Sequence, residues 1–181
     1  MKKIFILLLF IFFPLLSHAQ KIENNFMPKD SFIPVYPIRP ISTSIVDENE
    51  TVYFIVPSDL WIEEFKIIPK DSVVKGKIAM LKMPVTGINA ALKIDADLIV
   101  FPDGTKHKLS GFITTNGDRQ IGGNLTPPLS YNKTFHPRKG EYFSAYVAQY
   151  VPSGEYEFGQ HITLLQTRML QLVLLEDFSP Y

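Results

Sequence analysis

The chain of 181 residues contains no cysteine, no excess of charge of either sign and, beyond its first residues, no apolar run long enough to cross a membrane. Each absence removes a class of function. Without cysteine there is no disulfide framework, no thiol nucleophile and no thiolate metal site. With 18 Lys+Arg against 18 Asp+Glu, no field draws in a polyanion, so nucleic acid is not an expected partner. There is also no Gly-x-Ser-x-Gly elbow, because Leu109-Ser110-Gly111 and Pro152-Ser153-Gly154 do not have its glycines two residues either side of the serine. No glycine-rich phosphate loop ending in lysine occurs.

What is present begins with a basic start, Lys2 and Lys3, an apolar run over residues 4–16, and small residues at Ser17 and Ala19 before Gln20. This is the pattern of a secretory signal peptide, residues 1–19, cut between Ala19 and Gln20. The run is short of the ~20 residues that a membrane-spanning helix needs, so no integral membrane segment is expected after cleavage. Losing Lys2 and Lys3 leaves 16 basic against 18 acidic residues in the mature chain. The expected location is extracytoplasmic: periplasm, cell surface or secreted.

Residues 20–50 carry Pro28, Pro34, Pro37 and Pro40, a spacing that blocks helix and favours extended backbone. They read as a Pro-rich arm or linker, either disordered or packed along a domain edge through Phe32, Ile33, Val35, Tyr36 and Ile38. From Thr51 to Tyr181, breakers recur at short intervals, and between them lie runs rich in β-branched and aromatic residues. The fold class is therefore all-β: a single small β-barrel or β-sandwich over residues 51–181.

The clearest element spans residues 90–101. Ala90, Leu92, Ile94, Ala96, Leu98 and Val100 alternate with polar positions that include Lys93, Asp95 and Asp97. Pro102-Asp103-Gly104 supplies the turn, and a second alternating run over residues 106–114 completes a hairpin. Pairing apolar with apolar sets Val100 by His107, Leu98 by Leu109 and Ile94 by Ile113, with Asp97 by Ser110 and the even-numbered residues of the first strand facing the core. One helical turn is expected at residues 59–65 behind Ser58 as N-cap. Residues 142–151 read as a strand ended by Pro152-Ser153-Gly154, and residues 161–165 and 169–175 as a final hairpin.

Candidate chemistry is sparse. Asp95 and Asp97 project from one strand face beside Lys93 and read as a solvated surface. Glu155, Glu157 and His161 could supply metal ligands, but they fall in a glycine-containing segment with no helical period, and the other mature histidines, His107 and His136, lie elsewhere. No catalytic residue, metal or cofactor is assigned. Tyr142, Phe143, Tyr146, Tyr150, Tyr156 and Phe158 lie close together in sequence. Tyr142, Tyr146 and Tyr150 would contact a ligand if exposed, whereas the plainer reading places half of the aromatics in the core.

The stretch Ile68-Pro69-Lys70-Asp71-Ser72-Val73-Val74-Lys75-Gly76-Lys77-Ile78, followed by Val100-Phe101-Pro102-Asp103-Gly104 and Leu109-Ser110-Gly111-Phe112, resembles the β-barrel domain of the TrbI-type core component of type IV secretion systems. The resemblance covers about residues 67–176. It implies a barrel-like fold and an envelope location, and carries no functional residue over. The chain departs from the pattern at Asp71, where glycine is usual, and in having a cleavable signal in place of an anchoring helix. The expected function is a non-catalytic binding or envelope-assembly module whose partner is an envelope protein or a glycan. The alternative is a secreted hydrolase or metalloenzyme using His161 with Glu155 or Glu157.

Overall fold

The computed structural model describes residues 25–137 and 146–180. The expected signal peptide and its Ala19–Gln20 cut lie outside them. Thirteen strands follow in order among the described residues: β1 (Phe32–Pro37), β2 (Ile41–Ser42), β3 (Thr51–Ile55), β4 (Leu60–Ile62), β5 (Phe65–Ile68), β6 (Val73–Lys82), β7 (Ala91–Val100), β8 (Lys106–Thr114), β9 (Ile121–Gly122), β10 (Pro128–Pro137), β11 (Tyr146–Tyr156), β12 (Thr163–Leu164) and β13 (Leu170–Leu174). Six of them close an antiparallel barrel in the order β6-β3-β1-β13-β8-β7, and β7 pairs back to β6. No helix among the described residues is long and apolar enough to cross a membrane.

Period-2 alternation fills the interior. Ile33 and Val35 of β1, Val52 and Phe54 of β3, Val74 and Ile78 of β6, Leu92 and Ile94 of β7, and Leu170 and Leu172 of β13 are all inaccessible to solvent. Each such side chain contributes about 1.5–3 kcal/mol through burial. A six-stranded barrel is narrow, so large residues inside it need small ones opposite. The registers align Val52, Gly76, Ala96, Gly111 and Leu174 in one transverse row. A methyl group on Gly111 would stand 2.7 Å from both Leu172 Cδ1 and the Val173 carbonyl oxygen, and one on Gly76 would stand 3.0 Å from Ile94. This layer of small residues makes room for Phe54 and Leu172.

Four expectations are corrected here. The β-rich unit begins before Phe32 and not at Thr51, because β1 is a barrel strand, paired with β13 through residues 32–35 and with β3 through Tyr36 and Pro37. Pro34 lies where β1 has a strand partner on one side only, a position that tolerates a residue without an N–H. Residues 59–65 form no helical turn. They enter the β4–β5 hairpin, which turns at Glu63 with φ of 53°, and Asp59 is fixed by the Lys70 amide (2.6 Å) and the Lys66 ammonium (3.0 Å). Those contacts hold the Asp59 carboxyl below its ordinary range, the Lys70 amide having the larger effect. The final two segments do not pair with each other: β12 pairs with β2, and β13 enters the barrel between β1 and β8. Finally, Pro152-Ser153-Gly154 does not end its strand, since β11 runs through it to Tyr156.

The β7–β8 hairpin forms at the expected place, with a turn held by Gly104 at φ 87° and by the Asp103 carboxylate, which accepts from the Thr105 hydroxyl (2.6 Å) and amide (2.9 Å). Those two bonds, the hydroxyl first, lower the Asp103 pKa. Ile94 pairs with Ile113 as expected, but nearer the turn the register differs, with Leu98 opposite Lys108 and Val100 opposite Lys106. Against β6 the extra, bulged residue is Asp97, whereas in the β7–β8 pair Leu109 and Ser110 of β8 stand opposite Asp97, and this irregularity inverts the faces of β7 beyond it. Ile99 is therefore fully buried while Leu98 and Val100 are only partly covered. The run Ala96-Asp97-Leu98-Ile99-Val100 has apolar residues at both parities, so alternation alone cannot locate the inversion.

Asp71 adopts φ of 63°. In that left-handed region glycine is the least strained residue and aspartate one of the few tolerated substitutes, which gives a physical reason for the departure noted in the sequence.

Candidate functional site: an amphipathic ribbon

Outside the barrel, β10 and β11 pair with each other and with no other strand among the described residues. Their 10 and 11 residues make a ribbon about 34 Å long. Directly opposite residues share a face, and the register places Tyr131 by Pro152, Lys133 by Tyr150 and Phe135 by Ala148 on one side. Asn132 by Val151, Thr134 by Gln149 and Ser130 by Ser153 lie on the other. The first face is aromatic and apolar; the second is polar apart from Val151. Tyr131, Phe135 and Tyr150 are exposed, the last at 63%.

One charge sits in the aromatic face. Lys133 Nζ lies 5.1 Å from the Phe135 ring centre and 5.9 Å from that of Tyr150, so the ammonium rests against two ring faces. At the far end of the described ribbon, Tyr146 pairs with Pro137. Tyr142 and Phe143 lie outside the described residues.

The base of the ribbon is fixed to the barrel by the β6–β7 loop. Thr86 bridges to Phe158 and Ile88 to Leu125. Gly87 donates its amide to Glu157 O (3.0 Å) and accepts from the Thr126 amide (2.9 Å), and Gly159 donates to Val85 O (3.0 Å). Gly87 has φ of 81°, and a methyl group there would already be in contact with the Tyr156 side chain at 3.5 Å. Around this base Leu129, Tyr156, Phe158, Leu125, Val85 and Ile88 are also exposed. Exposed apolar surface in this quantity is a mark of interaction sites.

Of the six clustered aromatics, every one whose side chain is described, Tyr150, Tyr156 and Phe158, is exposed. The pattern of alternation was visible in the sequence. What it lacked was any sign that the ribbon has no sheet behind it.

The metal candidates are placed apart from any such centre. Glu155 lies exposed on β11, Glu157 uses its backbone carbonyl to hold the ribbon base, and His161 Nδ1 lies 3.1 Å from the Thr43 hydroxyl. Among the described residues no three of His, Asp and Glu gather into a group that could hold a metal. Asp95 is engaged by the Arg119 guanidinium at 2.9 Å to each carboxylate oxygen, and Asp97 is exposed at the bulge.

No family model matches the chain, and no curated protein matches it. Among solved structures it is similar to ComB10 of the Com type IV secretion system of Helicobacter pylori, at 18% identity and a TM-score of 0.43, over 84% of this chain and 89% of that one.

Proposed function

We propose that the protein is a non-catalytic, extracytoplasmic assembly module in which the barrel is a rigid mount and the aromatic face of the β10–β11 ribbon docks on an envelope protein. The observation that carries this reading is the amphipathic ribbon itself. A two-stranded hairpin is marginal in water by its own pairing, and this one turns its apolar face to solvent while its base is clamped by two bridges of two backbone hydrogen bonds each. A partner that covers Tyr131, Phe135 and Tyr150 supplies the missing second layer. A protein suits the face better than a glycan, because Lys133 already occupies ring faces that a sugar would stack on. A partner carboxylate beside Lys133 completes the charge.

The test is capture of partners from the native cell envelope by the mature chain, run beside a glycan array. Combined Tyr131→Ser, Phe135→Ser and Tyr150→Ser should abolish capture of an envelope protein without changing the fold, whereas Asn132→Ser with Thr134→Ser should retain it. Capture that ignores the aromatic face, or a glycan signal that depends on it, overturns the reading.

A further inference from the structure

The turn from β8 to β9 carries Asn116-Gly117, and of the chain's asparagines only this one precedes a glycine. The pair suits a turn because both residues tolerate a left-handed backbone, and Gly117 has φ of 94° with open space around it. It is also the pair most prone to succinimide formation, since a following residue without a side chain leaves its backbone nitrogen unshielded. Asn116 and Gly117 are both exposed, so water and hydroxide reach them.

Against this liability the fold sets one buried group. Thr114, the last residue of β8, is fully buried. Its hydroxyl accepts from the Gly117 amide at 2.9 Å and from the Asn116 amide at 3.2 Å, and donates to the Asp118 carbonyl oxygen at 2.7 Å. The Asn116 carboxamide is held as well: Nδ2 donates to the Asp118 carboxylate at 3.1 Å, and Oδ1 accepts from the Thr115 hydroxyl at 3.5 Å. Nucleophile and target are thus each tied to another partner. Attack requires the Gly117 nitrogen to lose a proton engaged by Thr114, and the carboxamide to leave Asp118.

We infer that Asn116 is a deamidation site kept closed by the Thr114 hydroxyl. In the open turn hydroxide removes the Gly117 amide proton and the nitrogen forms a bond to Asn116 Cγ. The Cγ–Nδ2 bond breaks, and ammonia leaves with a proton taken from water. A second water opens the succinimide at either carbonyl, leaving aspartate or isoaspartate. The rate follows the population of open turns, which the three bonds of the hydroxyl keep small. Either product undoes the brace. A carboxylate replaces the donor to Asp118, and isoaspartate adds a carbon to the backbone between Thr114 and Asp118. Arg119 comes next in the chain, so its bonds to both Asp95 oxygens and its place 5.9 Å from the Phe112 ring centre then depend on a loosened turn.

The experiment keeps the mature chain at mildly alkaline pH, one portion folded and one in urea, and separates asparagine, aspartate and isoaspartate by peptide mapping and mass spectrometry. In urea Asn116 should convert before every other asparagine, and in the folded portion it should convert at least about tenfold more slowly. Thr114→Val should recover most of that factor while the thermal midpoint still reports a folded barrel. Thr114→Ser, which keeps the hydroxyl, should stay slow. The Gly117 amide, although at an exposed turn, should exchange slowly with deuterium. Equal rates in the two portions, a faster site elsewhere, or a folded Thr114→Val no faster than the parent would overturn the inference. So would a freely exchanging Gly117 amide, which decides the matter even where Thr114→Val does not fold.

Discussion

Barrel and ribbon are written in the same alternating code, yet their apolar faces meet opposite environments. In the barrel each strand has a neighbour on both sides and turns Ile33, Phe54, Ile94 or Leu172 into a closed interior. In the ribbon each strand has one neighbour, and Tyr131, Phe135 and Tyr150 are held in water. Alternation therefore reports that a strand has two unlike faces. Which face is covered, and by what, is decided by connections distant in sequence.

The largest expected effect separates inside from outside within one strand. Ile94→Asp should prevent folding, because an unpaired carboxylate in the core costs more than about 4 kcal/mol. Leu98→Asp, four residues along, should leave a folded barrel, since the bulge has turned Leu98 out of the core. Circular dichroism and urea unfolding distinguish the two, and an unfolded Leu98→Asp would mean that the bulge is misplaced. Next is Gly111→Ala, which overpacks the small-residue layer against Leu172 and should cost about 2 kcal/mol of stability in urea unfolding.

These first two variants also mark how far the fold was legible. Short apolar runs between Gly and Pro breakers disclosed the all-β class, and Pro102-Asp103-Gly104 located the hairpin. The inversion at Asp97 was hidden because apolar residues on both sides of it fit either parity. β1 was hidden because Pro34 and Pro37 read as punctuation, whereas one-sided pairing leaves a place for proline. Tyr150 was placed on one face of a strand. Its exposure was not foreseen, since burial depends on whether a second layer covers that face, which no local pattern records.

Backbone strain gives a smaller effect. Asp71→Val forces a β-branched residue into φ of 63° and should cost about 1–2 kcal/mol, while Asp71→Gly should be neutral or slightly stabilising in the same thermal scan. Smaller still, Tyr131→Ser, Phe135→Ser and Tyr150→Ser together should shift barrel stability by no more than about 0.5 kcal/mol. A large loss would show that the ribbon is packed on the barrel and would erase the contrast between them.

The slightest effect concerns acid. The folded pKa of Asp103 lies below its ordinary value of 3.8, owing first to the Thr105 hydroxyl and then to its amide. The stability that those bonds contribute is complete above that value and is lost as pH falls through the folded pKa. Asp103→Asn should flatten this part of the acid unfolding curve, followed by circular dichroism, and leave behaviour at neutral pH nearly unchanged.

The position of β13 between β1 and β8 has a consequence for biogenesis. The closing stave of the barrel is the last to leave the ribosome, so a nascent chain that stops short of Leu170 exposes two sticky margins and gains nothing from those already made. Closure thus waits on one late pairing that joins the first and last strands of the barrel, and a truncation before Leu170 leaves an open, aggregation-prone sheet.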